Sequence, residues 1–323
     1  MSRERAKNPN LRHPSRSSGV DFRHFSCSMR GMQFESLKVF CDLAETESFT
    51  KAAQINGVTQ SAVSQTISAL ERQFESPLIE RSKKNFRLTP EGEVLYDYSK
   101  QILQSYDSLQ SQLQGIKDVF VGNIRVSTVY SIGLHELPPC ITQFMKDYPQ
   151  VNVRVEYRRA DEVYEDVLGN RADLGLVAYP VRDSKLETVP LRKDSLVVIC
   201  NPQHPFAKQK SVKVQSLDGQ KFVNFAKDIP TRKALDKILK EQRVAVTTVA
   251  EFDNVETVKG AVEVDYGVAI VPEATVRQEI ANKSLSAVKL DGNFQRELGA
   301  IYKKGKVLSP ALKKFIELLK KAL

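Results

Sequence analysis

The sequence predicts three units in series: a small helical head finished by a short β wing, one long amphipathic helix, and an α/β domain built as two lobes. Three observations predict this. Between Ser48 and Phe74, SFTKAAQINGVTQSAVSQTISALERQF sets small apolar residues at helical spacing beside a high density of Ser, Thr and Gln. From Leu95 to Phe120, apolar residues recur every three or four positions. Beyond residue 122, strand-like and helix-like runs alternate, which argues parallel strands joined by crossover helices.

Composition bounds the answer. At 323 residues, 41% hydrophobic and 27% charged, the chain can bury a sizeable core and divides into two or three units. No apolar run approaches the roughly 20 residues that cross a bilayer; LVVIC (196–200) and VAIVP (268–272) read as buried strands, which excludes a membrane span. Cys27, Cys41, Cys140 and Cys200 have no metal-ligand or CxxC spacing, as expected of reduced thiols in a cytosolic protein without zinc. The net charge of +9 suggests a polyanionic partner. Residues 1–31 carry seven Lys/Arg against Glu4 and Asp21, five of those nine charges, in a Ser, Arg and Pro-rich segment without apolar period, hence a disordered basic extension. It reads as a phosphate-contacting arm, a passive tail, or the product of an upstream start codon with Met32 the true first residue; the last is favoured.

Residues 34–45 (FESLKVFCDLAE) set Phe34, Leu37, Phe40 or Cys41, and Ala44 on one helical face. Ser48 or Thr50 caps a second, short helix, Asn56-Gly57 makes the turn, and Thr59 caps a third. Ala53 at the crossing, Gly57 in the turn and Val63 locking the third helix describe a helix-turn-helix. Along the third helix Val63, Ile67, Leu70 and Phe74 form one stripe, with Ser61, Gln65, Ser68 and Arg72 opposite and Ser64 at its edge. Short hydroxyl and amide side chains let a helix lie close to the floor of a DNA major groove, where Gln reads adenine and Ser contacts bases or phosphates. A merely solvated face is usually furnished with Glu and Lys. Residues 77–90 (PLIERSKKNFRLTP) follow as two extended runs around a basic turn with Arg81, Lys83, Lys84 and Arg87, a wing that sets cations near phosphates.

These blocks resemble the LysR-type transcriptional regulators, from about Met32 to the C-terminus and most specifically in SFTKAA, TQSAVSQTISALE, the L-I-E-R of the wing and LTPEG. The resemblance implies DNA contacts at Gln60, Ser61, Ser64, Gln65 and Arg81; the helix cap Thr59 and the wing cations Lys83 and Lys84 complete the candidate set. Two departures, Glu47 for the usual Gly and Ile79 for the usual wing Phe, read as local packing variants. Gln65 and Thr66 fall where many members carry Arg, so the base preference does not transfer. The resemblance further implies promoter DNA, a second copy of the chain, a small-molecule effector and RNA polymerase as partners.

Thr89 caps the next helix, with Pro90 at its first position. Leu95, Tyr98, Ile102, Tyr106, Leu109, Leu113, Ile116 and Phe120 make a narrow stripe that wants a partner helix. The fit, as the resemblance also implies, is a linker helix paired between two chains, a homodimer that in this family often assembles as a dimer of dimers. Such a dimer presents two recognition helices to an imperfect palindrome whose half-sites are spaced by whole turns of about 10 base pairs each. The expected domains are a winged helix-turn-helix over 32–89, the linker over 90–121 and an α/β domain over 122–323, with lobe I at about 123–192 and 293–323 and lobe II at about 193–292. The resemblance implies a periplasmic-binding-protein-like effector domain with its ligand in the cleft. Thr128 and Ser131 sit at a strand end and the following helix start, and Pro230, Thr231 and Arg232 open another helix. Two helix starts facing one cleft would hold a small anion, and the family's effector contacts match Ser131 and Thr231. Ser and Thr are also ordinary helix caps.

Catalysis finds little footing. His13 and His24 lie in the tail, His135 and His204 are far apart, His135 reads as a helix-surface residue, and no GxSxG, GxxxxGK or GxGxxG is present. A solute-binding protein would need export, and no signal peptide precedes the head. A sequence-indifferent architectural DNA binder is the remaining alternative; a recognition face poor in Lys and Arg argues against it. The expectation is a cytoplasmic, ligand-responsive, sequence-specific transcription factor that needs no cofactor.

Overall fold

The computed structural model describes residues 34–80, 86–115 and 120–323. The basic segment 1–31, Ile116, and the wing residues Arg81, Lys83 and Lys84 lie outside them. The chain divides into two units that meet in sequence at Ser99 and Lys100, within one continuous helix.

The first unit holds α1 (Phe34–Thr46), α2 (Phe49–Asn56), α3 (Gln60–Gln73) and the start of α4 (Pro90–Gly115). Leu37, Phe40 and Leu43 of α1 are fully enclosed, so the buried face centres on Leu43 where the pattern pointed to Ala44. Ser48 caps α2 by accepting a hydrogen bond from the Lys51 amide. Gly57 then adopts φ 63°, ψ 29°, a left-handed conformation open to Gly without penalty, and its helix end is closed by the Val58 amide on Ala53 O at 3.0 Å. Ala52 and Ala53 let α3 approach, and Val63, Ile67 and Leu70 fill the seam. That stripe stops at Leu70: Phe74 caps the helix and is 42% exposed. Two extended runs follow, bridged antiparallel at Ile79 and Leu88. Thr89 then joins wing to helix, donating to Pro77 O at 2.6 Å and accepting from the Gly92 amide at 3.0 Å. Gly92 is required there, since a Cβ would lie 2.1 Å from Leu78 O.

The second unit is a two-lobed α/β domain. Lobe I carries β1 (Gly122–Val129), α5 (Tyr130–Gly133), α6 (Leu137–Asp147), β2 (Val151–Arg158), α7 (Ala160–Leu168) and β3 (Leu174–Ala178). A 15-residue strand, β4 (Leu186–Cys200), leads into β5 (Ser211–Val212), β6 (Lys221–Phe225), α8 (Pro230–Glu241), β7 (Thr247–Phe252), α9 (Val255–Glu263), β8 (Ala269–Pro272), α10 (Arg277–Asn282) and β9 (Ser286–Leu290). The chain returns through β10 (Gln295–Lys303) to the closing helix α11 (Pro310–Ala322). Strand order is β2-β1-β3-β10-β4-β9-β5, with β8 also on β4 and a separate β6-β7 pair. The sheet is mixed: β1 pairs parallel with β2 and β3, whereas β10 runs antiparallel to both β3 and β4. Returning strands, which alternation of strand and helix cannot signal, supply the antiparallel pairs. One core gathers Ile124, Phe144, Leu176 and Phe315; the other gathers Val198, Phe222, Val258 and Ile270.

Lobe I is tied by Asp173, which accepts hydrogen bonds from Arg125 at 3.0 Å and Lys306 at 2.7 Å. Burial raises its pKa, but Lys306 and Arg125 together outweigh burial and hold it at about 2. A folded-state pKa below the unfolded value contributes stability above the unfolded pKa, and that contribution is lost as pH falls through about 2. Holding the carboxyl that far below its ordinary value corresponds to roughly 2–3 kcal/mol. Denaturant titrations should therefore find Asp173→Asn less stable than the parent at neutral pH, with the gap closing as pH falls below about 4; a gap independent of pH would contradict this.

Candidate functional sites: the recognition helix and the interlobe cleft

In α3, Thr59 is the N-cap: its hydroxyl accepts from the Ala62 amide at 3.2 Å and lies 2.9 Å from the Ser61 hydroxyl. With Val63, Ile67 and Leu70 facing inward, Gln60, Ser61, Ser64 and Gln65 all stand exposed. Thr66 turns its hydroxyl back onto Ala62 O at 2.9 Å and so leaves the polar face. The outcome is a helix start whose exposed groups are short, uncharged donors and acceptors, the inventory suited to base edges.

In the α/β domain a narrow cleft lies between the lobes. Its walls come from the starts of α5, α7, α8 and α9 and from β10. Ser131, in the first turn of α5, accepts from Arg296 Nη1 at 2.8 Å. Arg296 is 1% exposed and its Nε and Nη2 donate to Asp194 Oδ2 at 3.2 and 3.1 Å; burial pulls its pKa down against the pull of Asp194. Across the cleft Thr231 follows Pro230 in the first turn of α8, where the helix presents amides without carbonyl partners. Among the described residues nothing bonds the Thr231 hydroxyl, and Ile229 occupies the cap position, so Thr231 is not a helix cap. Away from the paired strands β4 and β10, Arg159 pairs with Asp228 across the lobes, and His135 Nε2 lies 2.7 Å from Glu256 Oε1. Glu256 is backed by the buried Lys259 at 3.0 Å.

Two family models cover almost all of this architecture. The model of the bacterial regulatory helix-turn-helix protein, lysR family, matches residues 34–93, and that of the LysR substrate binding domain matches residues 117–323. The chain belongs to the LysR family. It is a transcriptional regulator with a DNA-binding head and an effector-binding domain. The regulator CysL of Bacillus subtilis is 28% identical over 272 residues, 84% of this chain and 91% of its own. A full-length OxyR of Pseudomonas aeruginosa, solved as a cysteine-to-aspartate variant, superposes with TM-score 0.72 at 20% identity, over 91% of this chain and 95% of its own. CbnR, solved full-length with its target DNA, superposes with TM-score 0.65 at 19% identity over 90% and 100%. The regulatory domain of CcmR from Synechocystis, solved with 2-PG, superposes with TM-score 0.57 at 23% identity over 62% and 96%.

Within this LysR chain the four candidate effector residues part ways. Ser131 and Thr231 line the cleft. Thr128 is wholly buried beneath it, its hydroxyl on Val129 O at 3.2 Å. Arg232 turns from the cleft into lobe II, where it donates to Phe225 O at 2.6 Å, Glu251 at 2.7 Å and Asp236 at 2.8 Å. Both look local in the sequence, but strand alternation sends Thr128 inward and helical rotation sends Arg232 behind Thr231. Arg296 and Arg159 were not anticipated. A signal for Arg296 existed: in QRELGA it shares the buried face with Leu298 and Ala300. His135 is half-buried and interlobe, a placement that only the fold could reveal.

Because Asp194 is itself buried, removing Arg296 strands a carboxylate. Arg296→Met should cost about 3–5 kcal/mol in denaturant unfolding, and adding Asp194→Leu should recover much of it; additive losses in the double variant would contradict the pairing.

Proposed function

We propose that this LysR-family regulator reads promoter DNA through Gln60, Ser61, Ser64 and Gln65, assisted by Thr59 and the wing residues Arg81, Lys83 and Lys84, and that a small anion in the interlobe cleft sets its activity. Residues 32–89 are the reading head, 90–121 the pairing helix and 122–323 the sensor. The observation that carries the anion is the convergence of Ser131, Arg296 and the Thr231 turn on one cleft. Hydroxyls, a guanidinium and a helix start are complementary to a carboxylate or phosphate. The solved complexes of CbnR with DNA and of CcmR with 2-PG support both halves by analogy of fold. The role is regulatory and not catalytic, it needs no cofactor, and it places the protein with DNA in the cytoplasm and, at promoters, with RNA polymerase. Among the described residues no helix is long and apolar enough to cross a membrane.

The partner of α4 is a second copy. Tyr98, Ile102, Tyr106, Leu109 and Leu113 follow one another at intervals of three or four residues and are 43–62% exposed, an apolar seam of coiled-coil type. Twofold pairing presents two recognition helices to two half-sites, and dimers of dimers extend the footprint.

Ser61→Ala with Gln65→Ala should weaken binding to the DNA upstream of the protein's own gene about 10- to 100-fold in fluorescence anisotropy, leaving binding to scrambled DNA unchanged. Equal affinity for every DNA, lost steeply with salt, would instead mean that charge alone acts. Ile102→Asp with Leu109→Asp should shift the sedimenting species from dimer or larger toward monomer at micromolar protein; unchanged assembly would place the dimer contact elsewhere.

A further inference from the structure

We propose that Asp228 acts as a built-in competitor on Arg159, and that the ligand of this cleft carries two acidic groups, one for Ser131, Arg296 and Thr231 and a second that takes Arg159 from Asp228. This rests on the anion reading above and names the ligand class.

The arginines around the cleft differ in whether their partners can be exchanged. Arg296 is sealed against Asp194 with 1% and 5% side-chain exposure. Arg232 is used up by Phe225 O, Asp236 and Glu251. Arg158 pairs with Glu156 and with the buried Asp166, both within lobe I. Arg159 reaches Asp228 of the other lobe away from the paired strands, and the two side chains are 39% and 57% exposed. Among the described residues Asp228 has no second hydrogen-bond or ion-pair partner. An exposed pair of this kind contributes little to stability, so exchanging its carboxylate for another costs little.

Position makes the exchange productive. Arg159 follows β2, the edge strand, and is the cap residue of α7; its amide already serves the Glu162 carboxylate at 2.9 Å, while its guanidinium lines the cleft. Arg296 lies on β10, three strand positions from β2, a lateral separation of roughly 14 Å by ordinary strand spacing. Each guanidinium reaches inward from its backbone, Arg296 as far as Ser131 after β1. Both arginines line the same cleft. Asp228 stands three residues before Thr231, so the loop that carries the competitor also carries the opposite anchor. A ligand with one acidic group fills the Ser131 end and leaves the Arg159–Asp228 pair intact. A ligand with two replaces Asp228 on Arg159 with its own carboxylate or phosphate, which a guanidinium receives through two parallel donors.

The test is calorimetric titration of the full chain and of Asp228→Asn, Arg159→Gln and Thr231→Val, using 2-phosphoglycolate and malonate as two-acid probes and glycolate and acetate as one-acid probes. Asp228→Asn should tighten the two-acid probes by about tenfold, the factor one charge-assisted contact supplies, and the one-acid probes much less. Arg159→Gln should erase the preference for two acids without weakening one-acid binding, and Thr231→Val should weaken all four. Melting curves of each variant report whether it remains folded. Equal tightening of both classes by Asp228→Asn, or an unchanged preference in Arg159→Gln, overturns the competitor role while leaving the anion reading in place, provided Thr231→Val still weakens binding. Failure of every probe to bind any folded variant sinks both.

Discussion

Two strands carry the chain between the lobes, and the buried pair of Arg296 and Asp194 sits where they face each other. β4 leaves lobe I and becomes a central strand of lobe II, and β10 returns beside it, antiparallel. In register, Arg296 is opposite Asp194, at the junction of the two cores. Burying both charges there is costly, and three hydrogen bonds from Arg296 to Asp194 and Ser131 offset the cost. That arrangement explains why the cleft floor is polar in an otherwise aliphatic junction. It also fixes Ser131, a candidate effector contact on lobe I, to the hinge itself. Tyr179, whose hydroxyl is buried without a partner among the described residues and whose pKa burial pushes up to about 12, lies within the same electrostatic neighbourhood.

A different constraint governs the head. Its core is thin, and α2 and α3 cross closely because Ala52 and Ala53 are small where Val63 packs, with Gly57 turning the chain between the helices. With one side of α3 committed to that seam, the exposed side is free to specialise. It specialises in side chains with little reach: Ser61 and Ser64 with one hydroxyl each, Gln60 and Gln65 with amides that both donate and accept. The excess positive charge of the chain lies elsewhere in the sequence, five of nine charges within residues 1–31. On the proposed reading, attraction to a polyanion and discrimination among sequences are separable, the first carried by Lys and Arg and the second by neutral groups.

The head was legible because its signals are local. Caps at Ser48 and Thr59, the left-handed turn at Gly57 and the Val63–Ile67–Leu70 seam each follow from residues within a few positions of one another. The exception, Phe74, failed at a helix end, where the periodic rule no longer binds the side chain to the core. In the α/β domain the elements were legible but their partners were not. β10 pairs with strands 100 residues or more earlier, and no periodicity reports direction or register over that distance. The cleft suffered most, because it is assembled from helix starts of both lobes. Ser131 and Thr231 could be named from their places after a strand and a Pro, whereas Arg159 and His135 become notable only once Asp228 and Glu256 are known to face them.

The distribution of cleft groups between lobes decides what a ligand can do. Ser131 and Arg159 belong to lobe I, and Thr231 and Asp228 to lobe II. A ligand shifts a conformational equilibrium only by the difference in its affinity for the two states. A molecule held solely by Ser131 and Arg296 would bind open and closed lobes alike and would change nothing. One that spans to Thr231 binds the closed arrangement better by whatever the second contact is worth, and it must favour closure by that amount. The Arg159–Asp228 pair and the His135–Glu256 contact both bridge the lobes, so a ligand acts on an arrangement these contacts already favour. A ligand that breaks one of these bridges while forming its own gives a smaller net shift than its total affinity suggests. Tight binding and strong switching are thereby distinct demands on this cleft, and the residues that meet the second are those whose partners lie across it.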